Sequence, residues 1–476
     1  MLVERELASE IEAVVHPRPG VLRRELGSIA VLLLTLSSLS PVVSVFGVGG
    51  DVLHQVGPAA GALFALALLA ALVWAVVYAE LGSAFPYAGG DYVGVGRVLG
   101  PEAGVMTLAI WAATGGPSAA FALQTFAVYV HELAPAWPES LITFAGLAGA
   151  LIVALMSVRR GALITGIFLA VESLAVVALI VVGAGRPQRG WDALIAHPLA
   201  LGASGGFVPV TLGAMALAMV STVYATVGGN QAIFFGEELR DPHRRMGPVI
   251  IAACLIGAVT TALPVLMVAI SAPDLHALLA SPAPFAQFMT AALGRWAGPA
   301  LSAGVATALF NAAIVSLMGS ARQLFSLGRD GFFTPRLNRA LASVGADSGT
   351  PVPATLALGA FTGLCCLLPS HSLLVFMTGL LVYGWSAVCL AVLIGRLKGQ
   401  IGAPGMWRAP LYPLAPVLGL VMAAVFTVAD LADADAGRPS VLLLGLVIVA
   451  ALIWHRVWLK PHGWRPTLGD VGGGEV

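Results

Sequence analysis

The sequence predicts an all-α integral membrane protein of twelve transmembrane helices, arranged as a five-plus-five inverted repeat with two further helices at the C-terminus. Three observations predict it. Hydrophobic residues make up 58% of the 476 residues and charged residues 10%, whereas a soluble domain carries about 25% charge; mean hydropathy is +0.93. Apolar runs of roughly bilayer length, about 20 residues each, recur along the whole chain. Two of those runs carry a helix break at about the same depth, and each opens one half of the chain.

The expected spans are 29–55, 59–82, 101–132, 139–158, 161–184, 209–235, 247–271, 298–327, 352–369, 372–396, 411–431 and 439–458. Residues 1–28 read as a cytoplasmic N-terminal tail, 29–184 as the first repeat, 209–396 as the second, 397–458 as the last two spans, and 459–476 as a cytoplasmic C-terminal tail. The first run is too long for a cleaved signal peptide and is expected to stay as a membrane helix. The third and eighth runs are long, which suggests tilt. Five spans per copy is an odd number, so the second copy must run inverted through the bilayer. Charge supports the alternation. With the N-terminus inside, only Arg186, Arg189, Arg295 and Arg438 of the 24 Lys and Arg residues fall outside, as the positive-inside rule requires. Both termini are then cytoplasmic, in a plasma membrane of the bacterial inner-membrane kind.

Composition also excludes classes. The net charge is zero, which gives no electrostatic case for nucleic acid. Cys254, Cys365, Cys366 and Cys389 lie inside apolar runs without disulfide or zinc spacing. His131-Glu132 is too small a set for a metal, and Gly94-Val95-Gly96 follows no strand. There is no nucleophile–base cluster and no phosphate loop. No enzyme activity, cofactor or metal is expected, and no segment supplies the motor of an ATP-driven pump.

The breaks carry the functional reading. The first lies at Ser37-Ser38-Leu39-Ser40-Pro41 and the second at Tyr224-Ala225-Thr226-Val227-Gly228-Gly229-Asn230-Gln231. An unpaired backbone polar group in lipid costs several kcal/mol, so such a break persists only beside a cavity or ligand. Paired breaks are the best sequence pointer to a transporter's binding site. Amides at the start of one half-helix favour an anion and carbonyls at the end of the other favour a cation, which suits an α-amino acid. Ser38, Ser40 and Ser44 offer hydroxyls, or back-bond to their own helix. Pro41 frees the carbonyl of Ser37. Tyr224, Ala225 and Thr226 offer carbonyls, and Gly228-Gly229 permits unwinding. Asn230 and Gln231 are cavity candidates or helix-packing amides.

Three segments resemble the amino acid–polyamine–organocation permeases. Pro86-Tyr87-Ala88-Gly89-Gly90-Asp91-Tyr92 is similar to the P-x-x-G-G-x-Y signature, and Gly236-Glu237-Glu238-Leu239-Arg240-Asp241-Pro242 to the E-E-x-x-x-P segment. Arg322-Gln323-Leu324-Phe325-Ser326-Leu327-Gly328-Arg329-Asp330-Gly331 is similar to the R-x-L-x-x-x-x-R-D-G end of the eighth helix, with Ala321 where relatives often carry Ser. The resemblance implies the inverted-repeat fold shared with sodium-coupled neurotransmitter transporters. It also implies that the family's G-S/T-G-I-F break corresponds to Val42-Val43-Ser44-Val45-Phe46, so that the amides of Val42, Val43 and Ser44 meet a substrate carboxylate although two glycines are missing. At the second break Gly229 and Asn230 replace the family's aromatic gate and acid. Asn311 stands where the family often has an Asn-Ala pair.

Glu172 lies eleven residues into the run 161–184, near the midplane, where an ionisable group is a functional candidate by default. By the resemblance it takes the place of a lysine that stands in for sodium in some relatives. It reads as a proton-coupling carboxylate, as a ligand for sodium or a cationic group, or as a protonated acid bonded between helices. Gln124 and Asn311 are expected to face the cavity, Ser316 and Ser320 to contact an ion, and Tyr383 and Trp385 to form an outer gate. The resulting expectation is a secondary permease for amino acids working by alternating access, with H+ favoured over Na+. Two alternatives stay open: a transporter or exchanger of an organic amine of the ethanolamine, choline or polyamine kind, and a substrate sensor that does not transport.

Overall fold

The computed structural model describes residues 26–464 apart from 39–40, 88–89, 157, 196–197, 203, 346–349 and 411. The chain is helical almost throughout. The first apolar run forms α1 (Ser28–Ser38), a π-helical turn (Val43–Val48) and α2 (Gly49–Val56). Next come α3 (Ala59–Ala84), α4 (Asp91–Leu99), α5 (Pro101–Leu133), α6 (Glu139–Ala154) and α7 (Val158–Ala184). The short α8 (Asp192–Ile195) and a hairpin of β1 (Leu199–Leu201) and β2 (Phe207–Pro209) lead to α9 (Leu212–Thr226). A 3-10 helix (Gly229–Phe235) precedes α10 (Pro242–Ser271). The short helices α11 (Leu275–Ala280) and α12 (Pro284–Leu293) precede α13 (Ala297–Arg329), and α14 (Pro335–Leu341) precedes α15 (Val352–Cys365). The chain closes with α16 (Ser370–Leu397), α17 (Leu414–Ala432) and α18 (Gly437–Trp454), the last continuing as a π turn to Leu459.

Eight described helical segments are long and apolar enough to cross a membrane, and Glu139–Ala154, Val171–Ala184 and Val352–Cys365 are shorter apolar helices. The protein is therefore an all-α integral membrane protein. The expected long third and eighth members are each 33 residues, α5 and α13, and they pack along one another, as do α3 and α10. Leucines and valines exposed along α17 and α18 put these two helices at the periphery, facing lipid.

Two features depart from the expected pattern. The connection before the sixth run holds the antiparallel hairpin, pairing Leu199 with Pro209 and Leu201 with Phe207 around Gly202, Gly205 and Gly206. Its three-residue strands are too short to register as a period-2 pattern. The fourth and ninth runs end early as helices, at Ala154 and Cys365, because their last apolar residues form turns.

The interior is built around the breaks. Val45, Phe46 and Val48 are buried with Phe121, Tyr129, Val265, Phe285 and Leu309. Phe46 meets Tyr129 and Phe285 edge-on, with centroids 5.9 and 5.3 Å apart. A second cluster holds Trp74, Tyr78, Val223, Ile250 and Trp385. Near the end of α13, three indoles donate to carbonyls of the following loop: Trp454 to Phe332 (2.8 Å), Trp458 to Phe333 (3.1 Å) and Trp464 to Asp330 (3.0 Å). They fasten the C-terminal helix to the segment that carries Asp330.

Candidate functional site

The expected first break spans Leu39 and Ser40, which lie outside the described residues; beyond it Pro41 and Val42 are helical and lead into the π turn Val43–Val48. A π turn changes the hydrogen-bond step and often marks a functional position. It lies tightly against α5: a Cβ on Gly47 would stand 2.8 Å from Phe121 Cε1 and 3.3 Å from Thr125 Oγ1. The Ser38 side chain and all of Ser40 lie outside the described residues, so the two expected hydroxyl donors are not placed.

At the second break α9 stops at Thr226, Val227 is extended (φ −108, ψ 118), and the 3-10 helix starts at Gly229. The Val227 amide bonds back to the carbonyls of Val223 (3.1 Å) and Tyr224 (3.4 Å), and the carbonyls of Ala225 and Thr226 lie beyond the α-helical ladder. Gly229 is required by proximity: its Cβ would fall 2.2 Å from Cys254 N and 2.6 Å from Ala253 C. The break is pressed onto the main chain of α10, with the amides of Gly228, Gly229 and Asn230 beside the Cys254 thiol.

Between the breaks lies a cavity of about 620 Å³. Val43, Ser44, Glu172, Tyr224, Ala225, Gly228, Asn230, Gln231, Asn311, Ser316, Ser320 and Trp385 all line it. Glu172 is 3% exposed, and its Oε1 accepts the Val42 amide at 2.8 Å across 130 residues of sequence. Asn311 is buried, and its Oδ1 has no hydrogen-bond partner among the described residues. Trp385 lies against Trp74, with centroids 5.1 Å apart.

Several expected residues sit elsewhere. Val42 reaches the site only through its amide. Thr226, expected to offer its carbonyl, is not among the lining residues, and its hydroxyl bonds its own helix at Thr222 O (3.2 Å) and Val223 O (3.0 Å). Tyr383 packs with Ile110, Leu380 and Leu444, apart from the cavity lining. Gln124 does not face the cavity as expected; its Nε2 caps the carbonyls of Cys366 (3.1 Å) and Leu368 (2.7 Å) where α15 ends.

The cavity also has walls that sequence reasoning missed. Trp111 lines it, edge-on to Phe234, while its Nε1 donates to both oxygens of buried Asp91 at 3.0 Å. Tyr78 donates to the same carboxylate at 3.1 Å. Desolvation raises the Asp91 pKa, and the Trp111 and Tyr78 bonds oppose it. Tyr92 and Asp330 line the far end of the cavity. Burial, followed by the Asp330 and Asp91 carboxylates, pushes the Tyr92 phenol up to about 12, with Arg329 and Glu237 also close enough to act on it. The three signature segments noted in the sequence therefore converge at this mouth. Arg329 and Asp330 are sequence neighbours 3.3 Å apart with Arg329 well exposed, so that pair contributes little. At the opposite end His371 at the start of α16 meets Asp51 of α2 at 3.1 Å, and Gln55 donates to Asp51 at 2.6 Å. Among the lining residues there are two carboxylates, Glu172 and Asp330, and no Lys, Arg or His.

A chamber between membrane helices, lined by the π turn of the first run, the end of α9 and Glu172, is the architecture of a membrane permease. Residues 26–452 match the amino acid permease family model, and the chain belongs to that family. It is 24% identical over 461 residues to the branched-chain amino acid permease BcaP of Bacillus subtilis, covering 90% of this chain and 92% of that one. It is 29% identical over 398 residues to the human large neutral amino acids transporter small subunit 2 (79% and 69% covered). It is 27% identical over 406 residues to human cationic amino acid transporter 4 (79% and 61% covered). The protein is a membrane-embedded amino acid transporter and not an enzyme.

Proposed function

We propose that the chain is a twelve-span secondary permease of a plasma membrane, both termini cytoplasmic, that carries amino acids by alternating access with proton coupling through Glu172. The observation that carries this reading is the cavity that both helix breaks line together with Glu172. The last turn of α9 offers carbonyls to the substrate ammonium, and the amides of the resumed first helix meet its carboxylate. The cavity runs to Tyr92 and Asp330 while Asp51, Gln55 and His371 tie the other end. With the signature loops on the cytoplasmic side, this is an inward-facing arrangement. The bundle containing α1–α3, α9 and α10 then rocks against α5 and α13. The five-plus-five inverted repeat is supported by the matched breaks and by the equal lengths of α5 and α13.

The relatives' printed names favour neutral amino acids, branched-chain ones included, as the first substrates to try. The test is uptake of a radiolabelled amino acid panel by proteoliposomes at several pH values, with and without a proton gradient. Wild type should accumulate at least one amino acid faster with the external side acidic, and Glu172→Gln should flatten that pH dependence. Equal pH dependence in the two proteins rejects the proton role. An organic amine substrate is a second reading, favoured by acidic lining without a basic residue; competition between each amino acid and its decarboxylated amine decides it.

A further inference from the structure

Resting on the reading of this chain as an amino acid permease, we infer that Glu172 is a tethered counterpart of the substrate carboxylate, and that the two compete for the amide of Val42. Pro41 has no N–H, and the next amide along the chain is that of Val42. That amide donates to Glu172 Oε1 at 2.8 Å. One N–H in this geometry serves one carboxylate at a time. The π turn and α2 follow it from Val43 to Val56, and the carboxylate bonded to the Val42 amide lies on the N-terminal side of that run, the side favourable to an anion. Glu172 reaches it from α7, on a helix far away in sequence, and lines the same cavity as Val43 and Ser44.

A second, independent observation points to a ligand at the same wall. Asn311 lines the cavity, is 6% exposed, and has a buried Oδ1 with no partner among the described residues. An unpaired buried acceptor calls for a donor, and an ammonium supplies one. A zwitterion therefore meets two different receptions. Its ammonium finds an acceptor waiting, and its carboxylate finds the amide of Val42 already engaged. The protein accepts an amino acid by exchanging its own carboxylate for the incoming one, while an amine lacking a carboxylate leaves Glu172 in place. Glu172 thus compresses the preference for an amino acid over its decarboxylated analogue.

The experiment compares leucine with 3-methylbutylamine, alanine with ethylamine and lysine with 1,5-diaminopentane, as competitors in equilibrium binding to purified full-length protein at one pH. Wild type, Glu172→Ala and Glu172→Gln are measured. Glu172→Ala should raise the amino acid/amine preference about tenfold, the equivalent of one amide bond to a charged acceptor. Glu172→Gln, which keeps a neutral acceptor, should raise it by less; if Glu172→Ala fails to fold, the rise in Glu172→Gln decides. A preference that stays level or falls in the variants overturns the exchange, because Glu172 then assists the ammonium or touches neither group. Wild-type uptake into proteoliposomes separates the two readings. Accumulation of an amino acid together with an unchanged preference sinks the exchange alone. No accumulation of any amino acid sinks the permease reading and the exchange with it.

Discussion

Adding one methyl at residue 229 tests the second break against its backing helix. An ideal Cβ there stands 2.2 Å from Cys254 N, 2.6 Å from Ala253 C and 2.7 Å from Cys254 Cα. The nearest of these is more than an ångström inside ordinary carbon contact, roughly 3.5–4.0 Å. All three are main-chain atoms of α10, so no side chain can rotate away. Overpacking of a tight interior costs about 1–3 kcal/mol, and relief here must come from moving the break or α10 itself. Gly229→Ala is therefore expected to lose about 3 kcal/mol and to shift the neighbouring Tyr224–Asn230 segment out of register with the cavity. Initial uptake of the accepted amino acid in proteoliposomes should fall at least about tenfold, which is the rate effect of 1.4 kcal/mol. The comparison is Gly445→Ala in α18, whose Cβ meets nothing within 4 Å. If Gly229→Ala melts with Gly445→Ala and transports at the wild-type rate, the break does not press on α10 and the reasoning fails.

Two further perturbations test the scaffold. Glu80, fully buried in α3, pairs with Arg396 of α16, which is 20% exposed and stacks over Tyr412 at 4.6 Å. Glu80→Ala should cost about 3–5 kcal/mol because it leaves the guanidinium without its carboxylate, and Glu80→Met with Arg396→Met should recover most of that; thermal unfolding in detergent reads both, and a double variant no better than the single one would contradict a paired charge. Asp91, in α4, has a folded pKa raised mainly by desolvation, so the folded state binds its proton more tightly than the unfolded state does. Its contribution is then greatest below the unfolded value of about 3.9 and is lost as pH rises through the folded value. Asp91→Asn should remove that downward slope of melting temperature with pH, and an unchanged slope would assign it to other groups.

The membrane helices were legible because lipid forces long apolar runs, and the second break because Gly228-Gly229 interrupts its run visibly. The reason for Gly229 was only half legible. Its permissiveness could be read from the residue, but its contact with Cys254 and Ala253 arises from the packing of α9 on α10. The burial of Glu172 is what its place in an apolar run suggests, whereas its contact with Val42 spans 130 residues and has no local signature. Trp111, Ser118 and Gln323 all line the cavity and escaped notice as cavity residues for a different reason. A single polar or aromatic residue on a 33-residue helix such as α5 or α13 carries no periodic signal when the opposite face meets other helices rather than water. Gln124 shows the converse: an intramembrane amide that looks like a cavity residue is occupied in ending a neighbouring helix.

The breaks are also asymmetric in what they leave unsatisfied, and this bears on recognition. On the donor side, the Val42 amide is held by Glu172 and the amides of Gly228 to Asn230 lie beside the Cys254 thiol. On the acceptor side, Asn311 Oδ1 has no partner among the described residues, while the Tyr224 carbonyl at the end of α9 accepts from the Val227 amide. Glu172 and Asp330 add further acceptors to the wall, with no basic side chain to balance them. A buried donor or acceptor left unmade costs about 1–3 kcal/mol, so the demand remaining in the cavity is for hydrogen-bond donors. A substrate's ammonium meets that demand directly and orients the molecule at the second break. Under the proposed exchange its carboxylate gains less, because the bond it forms to the Val42 amide replaces one the protein already makes. Under that proposal recognition begins from the amino group, and the carboxylate is read through what it displaces.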